Sequence, residues 1–261
     1  MRRIATAALL LPPAGYVILF GPEWLLWLVI SAVALANFYE YAGIVAAQGI
    51  ENPGLLGYAA GLMLLFVRQW EWLFAVAMVL GVLVVAMRFA DLAKSLPYAG
   101  ALTVGVIYIF GAWRCGGELR AASPHWLFFA LVLNWLGDTA AYYVGSRFGR
   151  HKLAPAVSPR KTVEGALASV VAAVAFGVTY LHYFLPSVGV VDAVILSVAA
   201  NLAGQLGDLA ESALKRGAGI KDSGNSLPGH GGWLDRLDSS LFAMPVVYIY
   251  VLRPWSALAL W

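Results

Sequence analysis

The sequence predicts an all-α fold: a polytopic transmembrane helix bundle of about nine spans with its N-terminus in the cytoplasm. Three observations predict it. First, 61% of the 261 residues are hydrophobic and 12% are charged, with a mean hydropathy of +0.78; a soluble domain would carry roughly twice that charged share. Second, apolar runs of about span length recur along the whole chain. Third, Lys and Arg gather in alternate connecting loops, as the positive-inside rule requires.

Taken in order, spans are expected near 4–20, 24–46, 52–68, 71–87, 96–113, 125–145, 164–184, 190–213 and 239–259. The first follows Arg2 and Arg3 with no small-residue cleavage site behind it, so it reads as a retained helix rather than a signal peptide. Pro12 and Pro13 are expected to kink it. The third is interrupted by Gly54, Gly57 and Gly61, and eight spans with a re-entrant segment at 52–68 is the alternative. With the N-terminus inside, only Arg68, Arg114, Arg120 and Arg253 of the 17 Lys and Arg fall on the outer side. Trp24, Trp27, Trp70, Trp72, Trp113, Trp126 and Trp255 lie near expected span ends, where an aromatic belt would sit.

Residues 1–120 carry few polar groups inside their spans and read as a scaffold, whose glycines suit a dimer interface; monomer and homodimer both stay open. Residues 121–261 carry many and read as the functional region, with charged loops at 146–163 and 214–238 on the cytoplasmic face. The basic residues serve loop orientation and anionic lipid, so the pI near 9.0 does not point to nucleic acid. A single cysteine, Cys115, rules out an internal disulfide.

In the eighth span Asn201, Gln205, Asp208, Ser212 and Lys215 recur at alternating spacings of four and three, which is one helical face, with Glu211 beside it. Leu202, Leu206 and Leu209 occupy other faces. Interhelical hydrogen bonding accounts for Asn201 and Gln205. It accounts poorly for Asp208, whose ionised carboxylate needs a cation in such a place. Asn134, Asp138 and Tyr142 form a similar face on the sixth span, either for helix packing or for a site.

Ser158 to Gly165 reads SPRKTVEG. Thr162 or Ser158 suits a helix N-cap, with Glu164 in the first turn; the same helix start, flanked by Arg160 and Lys161, suits a phosphate. Both readings stay open. In the second loop Gly229, His230, Gly231 and Gly232 form a turn whose amides can approach an anion. Asp235 and Asp238, three apart at the start of the last span, share a face. No P-loop, zinc-spaced His–Cys cluster or nucleophile elbow is present. What remains is metal-assisted transfer of a phosphorus group at the membrane surface.

The run from Ser212 through Lys215, Arg216, Lys221, Asp222, Gly224, Pro228 to Gly232, Asp235, Arg236 and Asp238 resembles the signature of the phosphatidate cytidylyltransferases, or CDP-diacylglycerol synthases. Asp138 to Tyr142, Gly145 with Arg147 to Gly149, Ser158 to Gly165, and Gly207 to Ser212 match as well. The likeness is close over the C-terminal half and is one of hydropathy before it. Trp233 stands where the family more usually has a smaller aliphatic residue, and Asn225-Ser226 is not the commonest filling.

The resemblance implies condensation of CTP with phosphatidate to CDP-diacylglycerol and pyrophosphate, with magnesium on Asp208 and Asp235. A second metal or a monovalent cation stays open, as do ligand roles for Asp138 and Asp238. It implies a catalytic set of Asp208, Lys215, Arg216, Lys221, Asp222, Asp235, Arg236 and Asp238. Substrate phosphate would meet Ser158, Arg160, Lys161, Thr162, Ser212 and the 229–232 turn. The expected partners are CTP, phosphatidate and membrane lipid, and the expected location is the inner membrane with the site facing the cytoplasm. A cytidylyltransferase for another lipid phosphate, a CTP-dependent polyprenol or phytol kinase, and a transporter are the competing readings.

Overall fold

The computed structural model describes residues 12–69, 71–226 and 231–253. In chain order the helices are α1 (residues 12–20), α2 (Glu23–Ala47), α3 (Gly54–Phe66), α4 (Glu71–Ala86), α5 (Ser95–Gly105), α6 (Ala112–Ala122), α7 (Pro124–Phe148), α8 (Val163–Phe184), α9 (Val190–Gly217) and α10 (Leu234–Val251). A 3₁₀ turn (Leu92–Lys94), capped by Asp91, leads into α5, and a π-helical stretch (Val106–Gly111) joins α5 to α6. The result is one unbroken helix from Leu92 to Ala122.

Among the described residues five helices are long and apolar enough to cross a bilayer: α2, Leu92–Ala122, α7, α8 and α9. They fall on the second, fifth, sixth, seventh and eighth expected spans, and they make the chain an integral membrane protein. The fifth runs to Ala122, past the expected end at 113, so Arg114 and Arg120 lie on the helix rather than after it. The apolar α3, at 13 residues, is about 20 Å long against a hydrocarbon core of about 30 Å. The helix of the last span begins at Leu234, ahead of the expected residue 239. Residues 4–11 of the first expected span, and 254–259 of the last, lie outside the described residues.

Among the described residues two short strands stand between the helices. Lys152–Ala154 (β1) and Ser158–Thr162 (β2) pair antiparallel, with Lys152 opposite Thr162 and Ala154 opposite Ser158. Pro155 and Pro159 bar a helix here, and the turn between the strands returns the chain to α8. The expected loop 146–163 is therefore the end of α7 plus this hairpin. The aromatic belt is also corrected. Trp24 and Trp72 are exposed, but Trp113 and Trp126 are buried, Trp126 against Phe129 and Tyr250. Trp70 and Trp255 lie outside the described residues.

The chain divides into two compact units. One comprises Gly21–Arg114 with Ala210–Asp238. Its core is Phe38, edge-on to Tyr58 at 5.0 Å and 5.4 Å from Phe110. The glycines of α3 make this packing possible. A Cβ on Gly57 would overlap the Phe38 ring, and one on Gly61 the Phe110 ring. These glycines are packing notches, the usual device where helices associate in lipid. Arg114 donates to the Leu64 and Val67 carbonyls, satisfying the C-terminal end of the short α3.

The other unit comprises Cys115–Leu209, Ile18–Phe20 and the described residues after Asp238. Here α7 lies along α8. The close approach again uses small residues: a Cβ on Gly165 would sit 2.9 Å from the Ala141 carbonyl oxygen, and one on Gly137 2.5 Å from Ser169 Oγ. Aromatic rings of Phe128, Phe176, Tyr180 and Phe184 stack along the pair, and His125 Nδ1 lies 2.8 Å from the Tyr180 hydroxyl.

Candidate active site

The polar stripe of α9 turns inward as its spacing requires. Asn201, Glu211, Ser212 and Lys215 are buried, whereas Leu202 and Leu206 are exposed. Asn201 donates to Ser169 Oγ at 3.0 Å, and Gln205 donates to Asn201 Oδ1 and to the Ala166 carbonyl. These two residues therefore serve helix–helix hydrogen bonding. The face on α7 does not stay together. Asn134 is buried and donates to the Ala130 carbonyl, but Asp138 and Tyr142 are exposed. Steps of four residues drift about 40° each against a 3.6-residue turn, enough to carry the stripe out of the interior.

Asp208 has the cation that its position demands. Lys161 Nζ, on β2, lies 2.6 Å from Asp208 Oδ2, and both side chains are about a quarter exposed (26% and 28%). Two residues expected to meet a substrate or metal thus meet each other. Lys161 is held at this point by the hairpin and by the start of α8. Thr162 Oγ1 accepts from the Gly165 amide at 3.2 Å, the N-cap geometry. Glu164, in the first turn, accepts from the Arg150 and His151 amides and from His151 Nδ1 at 2.7 Å. It clips the chain leaving α7 to the start of α8. Ser158 is half-buried and Arg160 is exposed on the same strand.

The second cluster belongs to the other unit. Lys215 pairs with Glu211 one turn earlier on α9 and with Asp235 Oδ1 in the first turn of α10. Glu211 is fully buried, and Lys215 is 7% exposed. An ammonium between two carboxylates leaves the group formally one charge negative. Buried ions of this kind are tolerated only with close partners. Asp235 Oδ2 accepts from the Ser223 amide at 3.0 Å and the Gly232 amide at 2.8 Å. Gly231 supplies the turn with φ +79°, a left-handed conformation suited to glycine.

Ser212 and Asp238 are buried, and Arg216, Lys221, Asp222 and Arg236 are exposed. Arg216 donates to the Ile220 carbonyl at 3.1 Å. Gly229 and His230 lie outside the described residues.

One residue of this cluster was absent from the sequence reading. Glu40, deep in α2 and 3% exposed, accepts four hydrogen bonds from the 223–234 segment. A cleft of ≈ 530 Å³ opens beside it, lined by Tyr39, Glu40, Asn52, Ser223, Asn225 and Ser226 among others. The available signal was composition: Glu40 is the one acid inside an expected span of hydrocarbon side chains, and such acids mark function.

The donors fit magnesium chemically. Asp208 and Asp235 offer carboxylate oxygens, the donor type that magnesium takes. Among the described residues no three acids, histidines or cysteines gather into a ready metal site. A magnesium ion accepts few protein oxygens and completes its shell with water and phosphate.

Long apolar helices with charge buried among them define a membrane-embedded protein. The sequence profile of the cytidylyltransferase family matches residues 1–253, and the chain belongs to that family. It is similar to proteins named phosphatidate cytidylyltransferase. One from Staphylococcus aureus is 31% identical over 230 residues, covering 85% of this chain and 88% of the relative. One from Bacillus subtilis is 33% identical over 232 residues, covering 85% and 86%. One from Staphylococcus saprophyticus is 36% identical over 165 residues, covering 63% and 61%.

Proposed function

We propose that this protein is a nucleotidyltransferase that moves the cytidylyl group of CTP onto phosphatidate, releasing pyrophosphate and forming CDP-diacylglycerol for phospholipid synthesis. Similarity to proteins of that name over most of the chain supports the activity. The observation that carries the chemistry is Lys215 held between Glu211 and Asp235, with Asp235 fastened to the glycine turn.

The phosphate of phosphatidate is already anionic near neutral pH, so attack needs no strong base. The obstacle is repulsion between two polyanions, and the residues address it. Lys215 donates to Asp235 and ion-pairs with Glu211, and its ammonium, which carries three N–H donors, is also assigned to a phosphate oxygen. Arg216, Lys221 and Arg236 are assigned to further phosphate oxygens, with Arg160 and Lys161 at the hairpin. Ser158, Thr162, Ser212 and the 229–232 turn are assigned to shaping and hydrogen-bonding the phosphates. Asp208 and Asp235 would hold magnesium, with Asp138 and Asp238 as further ligand candidates and Asp222 as a supporting acid. When bound, magnesium supplies neutralisation of the triphosphate and orientation of its α-phosphorus. The pyrophosphate leaves in line with the incoming lipid oxygen, its charge met by these cations.

The site is assigned to the cytoplasmic face of the inner membrane, with nine spans and the N-terminus inside. Two ion pairs support the alternation. Arg88 pairs with Glu51, both in loops expected inside, and Arg68 lies 3.7 Å from Glu23, both at ends expected outside. A homodimer remains part of the proposal through the glycine-rich first half.

The test is purified protein with phosphatidate and CTP labelled at either the α- or the γ-phosphorus, with and without magnesium. Label from the α position should enter the lipid and label from the γ position should appear in pyrophosphate. Lipid labelled only from the γ position would make the protein a kinase and overturn the proposal.

A further inference from the structure

Both oxygens of Glu40 are fully used. Oε1 accepts from Ser226 Oγ at 2.8 Å and from the Trp233 amide at 3.0 Å. Oε2 accepts from Ser223 Oγ at 2.8 Å and from the Leu234 amide at 2.9 Å. A carboxylate offers about four acceptor directions, so none is left for a metal or a phosphate. Glu40 therefore cannot be a metal ligand or a catalytic residue in this arrangement. What it does is join the two ends of one segment.

The four donors lie 183 to 194 positions away in sequence and sit on both flanks of the glycine turn. Trp233 and Leu234 supply amides at the start of α10, which a helix leaves without intrahelical acceptors. Glu40 satisfies them from another helix, as an N-cap would, and its charge suits that end of the dipole. Ser223 links the two carboxylates of the cluster: its hydroxyl donates to Glu40 and its amide to Asp235. The fit leaves no room for side chains. A Cβ on Gly224 would sit 2.7 Å from Glu40 Oε1, and one on Gly232 would overlap Glu40 Oε2 and Ser223 Oγ.

We propose that Glu40 is a positioning residue: it anchors both flanks of the 223–234 segment and so sets Asp235 and its Lys215 partner in place. This rests on the assignment of Asp235 to the reaction. Charge-assisted hydrogen bonds from two amides and two hydroxyls make a stiff anchor. Glutamine in its place keeps one acceptor oxygen and turns an NH₂ group toward the other two donors.

The experiment compares Glu40→Gln with Asp235→Asn in purified full-length protein, by hydrogen exchange and by kinetics. In Glu40→Gln, amide exchange across 231–238 should rise at least about 10-fold. Its kcat should fall about 10- to 100-fold, the usual cost of losing a support behind a working residue. The KM for phosphatidate should stay unchanged, and the magnesium concentration for half-maximal rate should rise. Native exchange and native kcat in Glu40→Gln, with Asp235→Asn inactive, would overturn the anchor and leave the proposed reaction standing. A fully active Asp235→Asn would instead overturn the role of Asp235, and the exchange data alone would then decide on Glu40. If Glu40→Gln does not accumulate in membranes, Ser226→Ala, which removes one donor and keeps the carboxylate, is read by the same two measurements.

Discussion

Lys161 and Asp208 form an ion pair at 2.6 Å, although one lies on a two-stranded hairpin and the other deep in a long apolar helix. The pair supplies the cation that an intramembrane carboxylate requires, and it joins two residues assigned to phosphate and metal. Substitution of Asp208 by Asn should abolish turnover, by about 10²-fold or more, while the protein still inserts and elutes as a folded species. Normal activity in Asp208→Asn would remove it from the site. Lys161→Met should raise the CTP concentration needed for half-maximal rate, and unchanged kinetics would confine Lys161 to a structural role.

Lys215 separates stability from chemistry. Removing its charge leaves Glu211 fully buried without its counter-ion, at a cost of about 3–5 kcal/mol. Lys215→Met should therefore melt earlier and require more CTP or phosphatidate. Adding Glu211→Gln should recover much of the thermal stability without recovering activity. Recovery of both would show that Lys215 acts only on the fold.

The cap at the start of α8 yields a smaller, local effect. Thr162→Ala should cost about 1 kcal/mol of stability, and Thr162→Ser should keep most of it. Thermal melting in detergent checks this. An equal loss in both variants would mean that the methyl group, not the hydroxyl, matters.

Small residues set the spacing of α7. A Cβ on Gly137 would lie 2.5 Å from Ser169 Oγ and 2.6 Å from Asn201 Nδ2. Gly137→Val should lower stability by about 1–3 kcal/mol through overpacking. Gly100→Ala, in the interior of α5 where a Cβ meets nothing within 4 Å, should keep stability or raise it by up to about 1 kcal/mol. Equal melting temperatures for both variants would refute the packing argument.

Much of the fold could be read from local pattern. Span-length apolar runs located the five long helices, and the four-three spacing of α9 located the face that turns inward, because both depend only on helix pitch. Residue type and position offered Thr162 or Ser158 as the cap of α8, and the structure selects Thr162. The hairpin at 152–162 was missed because two prolines and a turn in a short basic stretch look the same whether strands pair or not. The burial of Trp113 and Trp126 was missed because amphipathic rings near span ends suit either lipid headgroups or a helix interface, and only the neighbours decide.

By itself the sequence determined the membrane-embedded helical class, the inward polar face of α9 and the charged segments that carry the family signature, since each is encoded within a few turns of chain. Only the tertiary structure decided which charges meet: Lys161 with Asp208, Lys215 with both Glu211 and Asp235, and Glu40 with a segment more than 180 residues away. Such pairings depend on how helices pack in space, and no periodicity along the chain records the distance between side chains on different helices.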